Sequence, residues 1–174
     1  MVKQATLMSN AINKTHQIDQ NLSDKQHEGI SESQILSWAE SILEQRFKRS
    51  NYITSPGSTR DYLNVALTDK EREMFGIIYL DTQHGVIDFE ILFYGTIDSA
   101  AVYPREIVKS ALMQNAAAVI LAHNHPSGLA EPSQADERIT ERIIAALKTV
   151  DIRVLDHLVV GSTGTVSFAE RGLI

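Results

Sequence analysis

His123 and His125 stand two residues apart in the run His-Asn-His-Pro-Ser-Gly, with Ser133 after seven intervening residues and Asp136 three further on. Two imidazoles and one carboxylate make three ligands, the number by which a hydrolytic zinc is held with its fourth position open. Water in that position has its pKa lowered to about 7, so hydroxide becomes available at neutral pH. The expectation is one zinc per chain, held by His123, His125 and Asp136. Each residue alone has an ordinary explanation. Ser133-x-x-Asp136 ahead of an apolar-periodic run is a capping-box pattern, and a lone histidine is more often a satisfied core or surface residue. The combination carries the argument. At average residue usage it arises by chance in on the order of one chain in several thousand of this length.

The elements that must position these side chains lie close by. Ala116 through Ala122 is a short apolar run, which predicts a buried strand. If that strand continues through His125, residues two apart share a face and both rings reach one ion. Pro126 and Gly128 end it, and residues 126–132 turn the chain back. From Ser133 onward Ile139, Ile143, Ala146, Leu147 and Val150 recur at spacings of three and four, the helical period. Asp136 then lies in the first turn, where the helix dipole favours a carboxylate. Ser133 fits both readings, capping the helix and pointing its hydroxyl at the site.

His123, His125, Ser133 and Asp136 match the signature of the JAMM (MPN-type) metalloproteases, and longer stretches resemble the bacterial RadC family more closely. The matching pieces are Gly95-Thr96-Ile97-Asp98, Tyr103-Pro104-Arg105-Glu106, His123 through Gly128, Pro132-Ser133, Asp136, and Asp156-His157-Leu158-Val159-Val160-Gly161. They occur in the family's order over roughly residues 55 to 174. The chain looks most like the short RadC-like proteins that lack a helix-hairpin-helix module. The resemblance implies an α/β fold, a curved mixed β-sheet flanked by helices in a cytidine-deaminase-like layout, here with an N-terminal helix. It implies zinc on the two histidines and the aspartate, a glutamate upstream as general acid/base, and a serine that assists at the oxyanion. The best-known relatives cleave isopeptide bonds to ubiquitin-like modifiers. For RadC-like proteins the resemblance implies a hydrolase site without naming a substrate.

The base must take a proton from the attacking water and pass it to the leaving amine. Two carboxylates precede the histidines. Glu73 stands just before Phe75-Gly76-Ile77-Ile78-Tyr79-Leu80, which predicts a central strand. In JAMM proteins the glutamate sits at the entrance to such a strand. Glu90 lies inside Val86 to Leu92, where strict alternation sets Val86, Asp88, Glu90 and Leu92 on one face and Ile87, Phe89, Ile91 and Phe93 on the other. That pattern places Asp88 and Glu90 on the solvent side of a half-buried strand. Glu73 is preferred, with Glu90 as the alternative. The plain reading of Glu73 is a solvated charge in the run Asp69-Lys70-Glu71-Arg72-Glu73. His157, in a strand-like segment, is expected to be a core or supporting histidine bonded to Asp156 or a backbone carbonyl, not a ligand. Arg105 and Glu106 open a helix and are expected to pair locally.

At 174 residues the chain has the length of one domain with room for a tail, and 43% hydrophobic residues allow a sizeable core. It has no apolar run of membrane-spanning length and no signal-peptide apolar region at Met1 to Ala5. The absence of cysteine excludes disulfides and thiolate ligands and suits a cytoplasmic setting. A formal charge of −6 argues against direct nucleic-acid binding; the cluster Arg46-Lys48-Arg49 suits a helix end. Residues 1–29, with His16 and His27, form a polar tail expected to be disordered. Residues 30–54 form a helix and linker, and residues 55–174 the metallohydrolase domain. Ser31-x-x-Gln34 opens the helix, whose stripe of Ile35, Trp38, Ile42 and Leu43 is expected to pack on the domain, with a homodimer contact as the alternative. A turn at Ser55-Pro56-Gly57 precedes a short helix begun by Ser58-x-x-Asp61. The order predicted after it is strand 75–80, strand 86–94, helix 104–115, strand 117–123, helix 133–149, strand 152–160 and strand 165–168.

Three functions compete on this evidence. The first is a zinc-dependent hydrolase of amide bonds acting on an unidentified peptide or protein, with Glu73 moving the proton and Ser133 donating to the oxyanion. The second is a metal-binding scaffold without proteolysis. The third is a role in DNA transactions, against which the acidic charge counts. There is no His-Glu-x-x-His zincin motif. A zinc deaminase needs Pro-Cys-x-x-Cys, which a cysteine-free chain lacks.

Overall fold

The computed structural model describes residues 30–49, 56–68, 70–95 and 101–174. The polar tail with His16 and His27, residue Ser55 of the expected turn, the stretch Thr96-Ile97-Asp98 and the side chains of Arg46, Lys48 and Arg49 lie outside that set. The described residues divide between Trp38 and Ala39 into two compact units. Helix α1 runs from Glu32 to Arg49 and α2 from Pro56 to Leu67. Strands β1 (Met74–Leu80) and β2 (Val86–Tyr94) follow, then α3 (Pro104–Met113), β3 (Ala118–Asn124), α4 (Gln134–Lys148), β4 (Arg153–Gly161) and β5 (Gly164–Ser167). No described helix is long and apolar enough to cross a membrane.

The five strands form one mixed sheet in the order β2-β1-β3-β4-β5. β3 and β4 are parallel, joined through α4, and the other pairs are antiparallel. β3 is buried along its whole length, as a central strand covered on both faces must be. Tyr62, Leu63, Ala66 and Leu67 of α2 cover one face, over Ile78, Leu80, Ile120 and Leu158. Ile107 and Ala111 of α3, with Ile143 and Leu147 of α4, cover the other, over Phe75, Ile77, Val119 and Leu121. The α/β fold with a mixed sheet between helices is the one expected.

Four local expectations need correction. Pro56 and Gly57, expected in a turn, already belong to α2, because proline is well suited to a first helical position that needs no N–H donor. Strict alternation fails in β2: register shifts fall between Phe75 and Gly76 and between Tyr79 and Leu80. Each inserts a residue, so Val86 packs with Phe89 and Ile91 on the α2 side, and Leu92 and Phe93 both pack on the α3 side. The Glu90 face is not solvent either, since Ser110 of α3 sits over it. Of the α1 stripe, Leu43 packs partly against the core, whereas Ile35, Trp38 and Ile42 are exposed.

Candidate metal centre

The two histidines sit where β3 ends. Its alternation turns Val119, Leu121 and His123 toward α3 and α4, and His123 is fully buried there. His125 lies one residue past the strand, yet its N–H still bonds Val160 O at 2.9 Å, so the ladder to β4 carries it into place. The loop then turns tightly: Gly128 N bonds His125 O at 2.9 Å and Gly128 has φ +83°. That conformation is open to glycine, and a Cβ there would collide with the Ser162 hydroxyl. Thr163 bonds Gly128 O through both its N–H and its hydroxyl, tying the loop to the β4–β5 hairpin.

Asp136 comes from the first turn of α4. Ser133 is the N-cap, and the capping box is complete. The Ser133 N–H and hydroxyl both donate to Asp136 Oδ2, at 2.7 and 2.6 Å, and Asp136 N donates back to Ser133 Oγ at 3.2 Å. Asp136 is thus held in one orientation by the residue three before it.

The ligand atoms converge. His123 Nε2 lies 3.0 Å from His125 Nε2 and 3.4 Å from Asp136 Oδ1, and His125 Nε2 lies 3.5 Å from Asp136 Oδ2. With one atom taken from each residue, the three lie within 4.8 Å of one another, close enough for one ion with bonds of about 2.0–2.2 Å to hold all three after small side-chain adjustment. Tautomers fit as well. His125 Nδ1 lies 2.8 Å from Leu129 O, an acceptor only, so it donates there and a neutral ring keeps its lone pair on Nε2. The His123–His125–Asp136 group can bind a metal ion.

Charge preferences agree. A hydrogen bond to Asp136 leads in raising the His125 pKa above its ordinary value; burial opposes it, and Leu129 O and the charges of Asp136 and Glu73 add to the rise. Burial pushes the Asp136 carboxyl up, but the His125 hydrogen bond, the charge of His123 and the two bonds from Ser133 outweigh it and hold it below the usual carboxylate range. Burial lowers His123 to about 4 against the pull of Asp136. The contact between His125 and Asp136 thus favours the charged form of each, while burial works against a charge on His123.

Glu73 and Glu90 are separated by the fold. Phe75 pairs with His123 across β1 and β3, so Glu73, two residues earlier, stands at the level of His125. Asn124, buried between the two histidines on the opposite face, clamps that segment: its Oδ1 accepts from Met74 N at 2.7 Å and its Nδ2 donates to Arg72 O at 3.1 Å. Gly95 N donates to Glu73 O at 2.8 Å. Glu90 instead pairs across from Ile77 and accepts from the hydroxyls of Tyr79 and Ser110 at 3.1 and 3.0 Å. Burial, the largest influence, raises the Tyr79 pKa.

Arg105 and Glu106 do pair locally, at 3.4 Å, with Lys109 at 3.9 Å. His157 is fully buried, and its ring meets neither Asp156 nor a backbone carbonyl. Its Nε2 lies 2.8 Å from His123 Nδ1 and its Nδ1 lies 2.6 Å from Thr140 Oγ1; Asp156 bonds its backbone N–H instead. The supporting role expected of it therefore has different partners. Burial holds its pKa well below the ordinary value. Asn124 and Thr140 escaped the sequence reading. A buried amide between two ligand histidines was the available signal for the first. The second gave none, since a threonine in a helix reveals its partner only through the tertiary fold.

A mixed α/β sheet thus brings two histidines from the end of its central strand to an aspartate in the first turn of the next helix, forming a possible metal site. Residues 53–173 match the RadC-like JAB domain, and the chain belongs to that family. A UPF0758 protein of Aeromonas hydrophila subsp. hydrophila is 61% identical over 138 residues, 79% of this chain and 62% of its own length. UPF0758 proteins of Vibrio parahaemolyticus and Vibrio cholerae are 56% and 57% identical over 155 and 154 residues, 86% and 85% of this chain and 69% of each relative. The chain spans less than two thirds of the Aeromonas relative.

Proposed function

We propose that this protein is a zinc-dependent hydrolase of amide bonds, a metallopeptidase or isopeptidase acting on a peptide or protein substrate. The observation that carries the reading is the convergence of one ligand atom each from His123, His125 and Asp136 to within 4.8 Å, with Glu73 at the level of His125. When bound, zinc lowers the pKa of a coordinated water to about 7 and polarises a carbonyl. Glu73 accepts the proton and delivers it to the leaving amine, as a base positioned within hydrogen-bond reach does. Asn124 and Gly95 fix the backbone on either side of that carboxylate. Ser133 donates to the developing oxyanion, turning its hydroxyl from Asp136 Oδ2 to do so. His125 is partly exposed, which leaves the ligand set reachable from solvent.

The test is a cleavage screen of metal-loaded protein against diverse peptides and isopeptides. Cleavage abolished by chelation and restored by Zn2+ is the expected result. A metal-loaded protein that cleaves nothing in the screen would favour the scaffold reading.

A further inference from the structure

Beyond the ligands, a buried hydrogen-bond chain joins two of them by a second route. It starts at the backbone carbonyl of Asp136, which can only accept. Thr140 Oγ1 lies 2.6 Å from it, so the one hydroxyl proton of Thr140 is committed there. The same oxygen is 2.6 Å from His157 Nδ1 and must accept from it. His157 is fully buried against Phe75 and Phe168, at ring separations of 5.4 and 4.7 Å. A charged ring in that setting is costly, so with the proton on Nδ1 its Nε2 is an acceptor. His123 Nδ1, 2.8 Å away, then carries a proton. A neutral His123 has only one, and its Nε2 is left as a lone pair aimed at His125 Nε2 and Asp136 Oδ1.

We propose that Thr140 and His157 are positioning residues: a hydrogen-bond chain of fixed direction, from the carbonyl of Asp136 to the ring of His123, that selects the His123 tautomer able to bind a divalent cation. The direction is set by the carbonyl, the one member that cannot donate. The chain also ties the first turns of α4 to the end of β3 through β4, so the aspartate and the inner histidine are held as one assembly. The consequence for metal binding rests on the zinc reading above; the tautomers do not.

Two measurements test it. Ring nitrogen NMR of the metal-free protein should show both His123 and His157 protonated on Nδ1 and bare on Nε2. Zinc affinity, measured by competition with a chromogenic chelator, should fall about 10–100-fold in Thr140→Val, the range typical for loss of such a supporting partner. Thr140→Ser, which keeps the hydroxyl, should restore it. Thermal unfolding of the metal-free variants separates this from loss of fold. A proton on His157 Nε2, or wild-type zinc affinity in a folded Thr140→Val, would overturn the proposal. If Thr140→Val does not fold, the wild-type spectrum decides alone. A wild-type protein that takes up no zinc would refute the metal reading and the predicted affinity effect, while the spectrum would still decide the direction of the chain.

Discussion

The β1–β3 strand pair carries a polar cluster at each end of the same sheet face. At one end Tyr79, Glu90 and Ser110 bring two hydroxyls to one carboxylate oxygen, with all contacts between 2.7 and 3.1 Å. At the other, four residues away along β3 or about 13 Å, His123, His125 and Asp136 bring acceptor atoms together at 3.0–3.5 Å. The first is assembled from two strands and a helix, the second from a strand, the loop after it and a helix. The first is complete, since its donors match its acceptor and nothing need be added. In the second, His125 Nδ1 donates outward to Leu129 O, and by the proposed chain His123 Nδ1 donates outward to His157, so the Nε2 atoms of both rings face Asp136. What distinguishes a binding site from a structural polar cluster here is therefore the direction of protons, not the number of polar groups.

That contrast can be broken by substitution. The largest expected effect is Glu73→Gln, which should keep zinc and fold but lower turnover by about 10²–10⁴-fold, the usual worth of a general base. Glu90→Gln should leave turnover unchanged, because its carboxylate belongs to the complete cluster. Steady-state kinetics on any substrate found by the screen would reverse the assignment if the two variants exchanged behaviour.

Next is Ser133→Ala. An oxyanion donor is worth about 10²–10³ in turnover, whereas a helix cap is worth about 1 kcal/mol of stability. The hydrolase reading expects the large kinetic loss with a small shift in melting temperature. A shift in melting alone would make Ser133 only the cap seen in its bonds to Asp136.

The smallest effect belongs to the complete cluster. Tyr79→Phe deletes one hydroxyl and should cost about 1 kcal/mol in denaturant unfolding, with zinc content unchanged. Loss of zinc from this variant would mean the two ends are coupled and would weaken the contrast.

Legibility in the sequence followed the same division. His123, His125 and Asp136 were readable because their spacing is local and short, a strand, a loop and one helical turn. The strands and helices were readable from periodicity, with ends off by one or two residues. The β2 faces were not, because an inserted residue at a bulge leaves the composition of the strand unchanged while moving Val86 and Phe93 to unexpected sides. The cover over Glu90 depends on how α3 packs. His157 reaches His123 only through the parallel register that sets it beside Leu121, and Thr140 reaches His157 only through the docking of α4. Interactions between distant segments left no local pattern to read.

The central claim is a cation held by three named side chains. Elemental analysis of metal-replete protein, with Asp136→Asn and His123→Ala beside it, tests that most directly. One zinc per wild-type chain and sharply reduced zinc in both folded variants is the predicted result. Full zinc occupancy in folded Asp136→Asn would contradict it.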